Sequence, residues 1–235
     1  MDEVRENGLM VRDARTGDFL VRVKVLAISD LQNNETMFDY CIIATKSYDT
    51  EWSAKMMDRH VKPDGAFISI QNGINDYRLA ESVEGGASRC IGCVTTVGNG
   101  CLKPGEVIRW DTADHAFKFG EHDNTVTPRC LELTALFNLP GAVTGGAEVT
   151  ENLWGARWSK LATNCFINVV SAARASYLPT NLPLPSSSFA NSQQRRSSAL
   201  RTVLLLGSLK GERITELQSH PAALRFIADG CRRLD

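Results

Sequence analysis

An α/β protein built on a parallel sheet is the fold this sequence predicts, and three observations carry that expectation. Short apolar runs recur at residues 38–45, 66–70 and 90–97, each bounded by polar or turn-forming residues, as strands buried on both faces are. Helix-like stretches at 50–60 and 75–84 separate them, giving a strand–helix–strand–helix–strand rhythm. A long amphipathic segment, 151–173, follows and predicts helical structure after the sheet. A chain of 235 residues can build one large domain or two modest ones around a sizeable core.

The elements follow in order. Residues 8–27 read as a β-hairpin, with Leu9 and Val11 before a turn at Thr16-Gly17, and Leu20, Val21, Val23 and Val25 after it. Phe38 to Thr45 suits a buried parallel strand, and Thr50 to His60 a helix. Lys62-Pro63-Asp64-Gly65 is a turn signal before the strand Ala66 to Ile70, which Gln71-Asn72-Gly73 closes. Cys90 to Val97 is the third such strand. Val107 to Trp110 and Ala116 to Phe119 alternate around Asp111-Thr112-Ala113-Asp114, which predicts an antiparallel hairpin. Pro128 to Asn138 is a helix closed by Leu139-Pro140-Gly141. Glu148 and Glu151 are expected in or near the first turn of the long helix, where the dipole favours acids. Residues 176–198 are rich in Pro, Ser, Asn and Gln and read as a linker or disordered insert, and helical character returns over 211–234.

Charge and cysteine usage narrow the function classes. With 26 basic and 27 acidic residues the net charge is −1, which points to neither a nucleic acid nor an acidic membrane as partner. No apolar run approaches the roughly 20 residues of a membrane-spanning helix, and the acidic start MDEVRENG resembles neither a signal nor a transit peptide. Seven scattered cysteines, an odd number, suggest reduced cytosolic thiols. Cys90 and Cys93 have C-x-x-C spacing, but residues three apart on a strand face opposite ways, and no second pair or nearby histidine completes a zinc site. Two buried structural cysteines are the expectation.

The polar constellation with chemical potential lies on the long helix. Trp154, Trp158, Leu161, Ala162, Cys165, Phe166 and Val169 fall on one broad apolar sector, with the two tryptophans expected in the core. Lys160, Asn164 and Asn168 are spaced four apart and stack beside that sector as a polar stripe. A carbonyl substrate, or the alkoxide it becomes, needs donors of that kind aimed from a rigid element. A solvated helix face explains the spacing equally well.

Four segments in order resolve that balance: IIATKSYD at 42–49, ISIQNGIND at 68–76, CIGCVTTVG at 90–98 and LWGARWSKLATNCFINVVSA at 153–172. Together they resemble the ketopantoate reductase (2-dehydropantoate 2-reductase) family, across about residues 5–175 and weakly again from 211. The W-x-K-L-x-x-N-x-x-x-N pattern of Trp158, Lys160, Leu161, Asn164 and Asn168 is its most specific part. The resemblance implies a Rossmann-type dinucleotide-binding sheet, a C-terminal all-helical domain like that of 6-phosphogluconate dehydrogenase, and an active site between them. It implies NADPH as cofactor, a small-molecule 2-oxoacid as substrate, reduction of ketopantoate to pantoate for pantothenate and coenzyme A synthesis, and room for a homodimer. It assigns Lys160 as the catalytic lysine, Asn164 and Asn168 as substrate-orienting asparagines, Asn72 as the asparagine at the nicotinamide and substrate end of the sheet, and Lys46 as a lysine at the mouth of the cofactor cleft. Without the family, Asn72-Gly73 would read as a turn and Lys46 as a solvated strand end.

On this resemblance, residues 1–146 are an incomplete dinucleotide-binding domain lacking its first βαβ unit. Residues 147–175 are the first helix of the substrate domain, 176–210 an insert or linker and 211–235 a partial helical domain. No G-x-G-x-x-G turn occurs in the sequence, and the family's late serine and glutamate have no counterpart, as in a truncated or degenerate family member. An uncovered sheet edge is expected beside the first buried strand. The chain is therefore predicted to bind NADPH weakly or not at all, and a tight affinity by calorimetry would refute that.

Overall fold

The computed structural model describes residues 2–13, 17–109, 116–139, 146–177, 201–206 and 224–229. The elements begin with α1 (Asp2–Asn7), β1 (Leu9–Asp13), β2 (Phe19–Val21), β3 (Lys24–Leu26), α2 (Ile28–Leu31), β4 (Phe38–Ile43) and α3 (Thr50–Asp58). Next come β5 (Val61–Ser69), α4 (Asp76–Ser82), β6 (Cys90–Thr95), β7 (Asn99–Lys103), β8 (Glu106–Arg109) and β9 (Phe117–Glu121). The last are α5 (Pro128–Phe137), β10 (Ala147–Val149), α6 (Leu153–Tyr177), β11 (Arg201–Leu206) and β12 (Leu224–Asp229). Among the described residues the strands form two sheets, one in the order β2-β1-β8-β7 and a larger one in the order β10-β9-β6-β5-β4-β11-β12-β3.

The predicted parallel layer is the centre of the larger sheet. β4 pairs with β5 and β5 with β6, all parallel. Its strands are apolar on both faces because both faces are covered. Phe38, Cys41 and Ile43 of β4 join Phe67 and Cys90 under Ala54 and Met57 of α3 and Leu79 of α4. Tyr40, Ile42, Ile68, Ile91 and Cys93 face the other way and pack with Phe119, Cys130 and Leu133, the last two on α5. Cys90 and Cys93 thus lie in opposite cores, both as free thiols, as strand geometry requires.

Several expectations are corrected. The hairpin of residues 8–27 exists only between β1 and β2, and β3 crosses to the larger sheet beside β12. Lys62 to Gly65 lies inside β5 and forms a bulge: Phe38 faces Val61, Tyr40 faces Ala66, and the four polar or turn-forming residues loop out between. The hairpin expected over 107–119 does not form. β8 pairs with β7 and β1, whereas β9 lies antiparallel to β6. Alternation reveals a strand but not its partner, and the local partner of β8, β7, precedes it across Pro104-Gly105. Glu148 belongs to β10, away from the helix, whereas Glu151 stands near the first turn of α6, just before its cap at Asn152. Within 211–235 the described part is a strand, β12, not a helix. Its Leu224-Arg225-Phe226-Ile227-Ala228 run supports an extended chain once β11 and β3 offer two edges. β11 falls within the stretch expected to be an insert or linker, yet it pairs antiparallel with β4 and covers the edge expected to be open.

α6 meets the sheet only at its beginning. Leu153 and Arg157 are buried, but Trp158, expected in the core, is 61% exposed, and Phe166 and Val169 of the same apolar sector are 73% and 68% exposed. The helix is 25 residues, about 37 Å at 1.5 Å per residue, and leaves the sheet after its first two turns. No helix among the described residues is long and apolar enough to cross a membrane.

A glycine pair makes the docking possible. Gly92 of β6 faces Gly120 of β9, and a Cβ on Gly92 would stand 2.5 Å from Leu153 Cδ2 and 3.0 Å from Asp76 Oδ1. Gly92→Ala is therefore expected to lift the start of α6 and cost about 1–3 kcal/mol as overpacking, read as a lowered midpoint in chemical denaturation. An unchanged midpoint would show that Leu153 has room to move.

Candidate active site

The carboxyl ends of β4 and β5 feed two short loops, the place where open α/β sheets present ligand-binding groups. Thr45 and Lys46 lead from β4 into a 3-10 turn, Ser47–Asp49. Gln71, Asn72 and Gly73 lead from β5 toward α4. Gly73 has φ +86°, so the Asn-Gly pair makes a real turn there. Buried Gln71 joins the two loops: its Nε2 donates to the Thr45 carbonyl at 2.8 Å and to Thr50 Oγ1 at 3.0 Å. Asn75 Nδ2 donates to Ser47 Oγ at 3.1 Å and to the Asn72 carbonyl at 3.0 Å, and Arg78 Nη1 donates to the Ser47 carbonyl at 2.9 Å. The loop backbone is thus held by side chains rather than by a ladder.

α6 is brought to these loops by its own first turn. Asn152 Oδ1 accepts the Gly155 N–H at 2.9 Å as an N-cap, and Asn124 Oδ1 accepts the Leu153 N–H at 3.0 Å. Trp154 stacks on Tyr77 with centroids 4.6 Å apart, and its Nε1 donates to the His122 carbonyl at 2.8 Å. Arg157 then inserts into the sheet end. Its Nη2 donates to the Ser69 carbonyl at 2.7 Å and pairs with Asp76 Oδ1 at 2.8 Å, and its Nη1 donates to the Gln71 carbonyl at 3.1 Å. The Arg157 and Asp76 side chains are 3% and 0% exposed.

Lys160 lies one turn beyond Arg157 and Asn164 one turn beyond that, on the same side of α6. Lys160 is half-buried. Burial, with repulsion from Arg157, holds its ammonium below the usual lysine value. Asn164 Nδ2 reaches Asn72 Oδ1 at 3.5 Å, so helix and loop meet at the two asparagines. Lys46 is exposed at the rim of the same loops, and Asn168 is exposed further out on the departing helix. The structure therefore brings Asn164 to Asn72, with Lys160 one turn back on the same side of α6, leaves Lys46 at the edge, and does not draw Asn168 in.

Four residues that sequence reasoning passed over shape this site: Gln71, Asp76, Arg157 and His122. His122 has Nε2 4.0 Å from Asp76 Oδ1, and burial keeps its imidazole below the usual histidine value despite that carboxylate. Among them only Arg157 left a signal, as a cation three residues from Lys160 on a largely apolar helix face.

With this geometry in view, the sequence relationships are specific. Residues 1–124 match the family model described as ketopantoate reductase PanE/ApbA. The chain belongs to the ketopantoate reductase family. It is 34% identical over 135 residues to a 2-dehydropantoate 2-reductase of Pyrococcus horikoshii, covering 57% of this chain and 42% of that one. The crystal structure of 2-dehydropantoate 2-reductase from Geobacter metallireducens superposes with a TM-score of 0.58 at 28% identity, over 68% of this chain and 50% of that one. A D-mandelate dehydrogenase solved with NADH and anilino(oxo)acetate shares the fold, at a TM-score of 0.57 and 16% identity, over 72% of this chain and 52% of that one. The chain thus spans about half the length of these relatives or less. The family is one of oxidoreductases.

Because Gln71, from the β5 loop, answers buried acceptors of Thr45 and Thr50 on the β4 side, Gln71→Leu is expected to cost about 1–3 kcal/mol through the partners left unpaired. Urea denaturation at unchanged m-value is the measurement, and a midpoint equal to wild type would dismiss Gln71 as the tie.

Proposed function

We propose that this chain carries the lysine side of the active site of an NADPH-dependent reductase acting on 2-dehydropantoate, giving pantoate. The observation that carries the reading is the meeting of α6 and the β5 loop at Asn164 and Asn72, one turn from a half-buried lysine of lowered pKa. Lys46 and Asn72, exposed at the ends of adjacent parallel strands, fit the nicotinamide end of a dinucleotide, where such sheets place it. The bound cofactor would supply a hydride to the ketone carbon. Lys160 would hydrogen-bond the ketone oxygen, oppose the charge growing on it, and give it the proton that completes the alcohol. The neutral amine then regains a proton from water. Asn164 and Asn72 would orient the substrate's polar groups.

The lowered pKa serves this role, since an acid nearer the working pH donates its proton more readily. The sign of the pH dependence follows. Reduction requires the ammonium, so the rate is expected to fall as pH rises through the lysine's pKa, with the falling limb on the acid side of 10.5, the ordinary lysine value. Lys160→Ala is expected to cut turnover by about 10²–10⁴-fold, the range for loss of a general acid. The assay is ketopantoate-dependent consumption of NADPH. Wild-type turnover in the alanine variant would remove Lys160 from the chemistry.

A second reading, a non-catalytic member of the family, has one observation in its favour. In doubly wound folds the strand that delivers the glycine-rich pyrophosphate turn lies in the interior of the parallel sheet. Here the neighbour of β4 on that side is the antiparallel β11. Absence of any ketopantoate-dependent NADPH oxidation by wild-type protein would favour it.

A further inference from the structure

We propose that Arg157 is a positioning residue for the reduction, clamping α6 to the carboxyl end of β5 so that Lys160 and Asn164 face Asn72. The inference rests on the reading of Lys160 as the proton donor, but its geometry is independent of that reading. Three carbonyl or carboxylate acceptors, from Ser69, Gln71 and Asp76, surround one guanidinium at 2.7–3.1 Å. A planar fork can satisfy all of them from one fixed orientation, which a lysine ammonium cannot reproduce. Two of the acceptors belong to the segment that delivers Asn72, and the third opens α4. Arg157 therefore fixes the rotation of α6 at the turn preceding Lys160.

The same cation acts on Lys160 electrostatically. Arg157 lies three residues before it, on the same helix face, and its charge opposes a second cation there. The other group acting on Lys160 is Cys93 of β6, whose thiol is pushed up to about 12, chiefly by burial, and is therefore neutral. Behind Arg157 stands Asp76, with His122 Nε2 at 4.0 Å from the same carboxylate oxygen. Asp76 answers part of the Arg157 charge, so removing Asp76 exposes Lys160 to more of it.

That arrangement separates a positioning role from mere support, because the two halves of one ion pair should move Lys160 in opposite directions. Amine acetylation of the folded chain across a pH series, read peptide by peptide in a mass spectrometer, reports the midpoint at which each lysine loses its proton. It requires neither cofactor nor turnover. In wild type, Lys160 should become reactive below the ordinary lysine value of 10.5. Arg157→Met should raise the Lys160 midpoint toward 10.5, and Asp76→Asn should lower it further. Thermal melting identifies variants that fold. If either single change unfolds the chain, the charge-free pair Arg157→Met with Asp76→Asn leaves no lone buried charge and should also raise the midpoint. Arg157→Lys keeps the charge without the fork, so it should keep the low midpoint yet reduce kcat more than KM. A wild-type Lys160 midpoint at or above 10.5 overturns the proposal, as does a midpoint unmoved in a folded Arg157→Met or paired variant. Failure of the general-acid reading would instead appear as normal turnover in Lys160→Ala, whatever the labelling shows.

Discussion

A guanidinium with almost no contact with water must have its charge answered on the spot. Desolvating it costs several kcal/mol that only close, well-aligned partners can offset. Arg157 meets that requirement with two main-chain carbonyls and the Asp76 carboxylate, and the requirement organises the region. The carbonyls of Ser69 and Gln71 point at the arginine, so the end of β5 has one arrangement open to it. Asp76 starts α4 within reach of the same group, so the turn from strand to helix is fixed as well. The first turns of α6 lie where the arginine can enter. Three elements far apart in the chain share one electrostatic condition, and the residues with chemical potential sit around its rim.

Packing prepares the ground for that pair. Covering both faces of β4, β5 and β6 leaves their carboxyl ends as the exposed, polar margin of a rigid sheet, a firmer base for a site than a loop alone. The Gly92–Gly120 pair lowers the sheet surface at one point, and Leu153 fills the depression. Asn152, Asn124 and Trp154 then supply the capping and stacking contacts that set the direction of α6. The helix is held firmly for two turns and leaves the sheet thereafter. Asn164 consequently reaches the β5 loop, whereas Asn168, one turn further out, does not.

The parts legible in the sequence were those governed by local periodicity. The runs around Ile42, Ile68 and Ile91 could be read as buried parallel strands because each is apolar on both faces. The four-residue spacing of Lys160 and Asn164 placed them on one side of a helix, and the family resemblance assigned that side a purpose. What stayed hidden depends on partners distant in sequence. Asp76 looks like an ordinary acid at the start of a helix, and only its pairing with Arg157, 81 residues away, reveals it as the anchor. Gln71 reads as part of a turn until Thr45 and Thr50 appear around it. Strand pairing failed for the same reason: β8 and β9 both alternate, but their partners were chosen by the sheets. The apolar side of α6 misled in the opposite sense, since Trp158 and Phe166 have helical core spacing yet are exposed along the described helix.

The electrostatics of Lys160 tie these features to the chemistry. A half-buried ammonium ordinarily acquires a carboxylate neighbour, which would raise its pKa and hold its proton. Among the described residues the groups acting on Lys160 are Arg157, which repels it, and Cys93, whose thiol burial keeps protonated. The lysine is therefore underpaid in charge within the protein. The negative charge best placed to relieve that deficit is one arriving on a ligand in front of the helix, as a substrate carboxylate or as the oxygen of a ketone gaining a hydride. A group stabilised more by the charge that develops during reaction than by anything present beforehand favours the transition state over the ground state. The arginine that locks the helix in place is thus also the charge that leaves Lys160 wanting an anion, so scaffold and reactivity rest on the same residue.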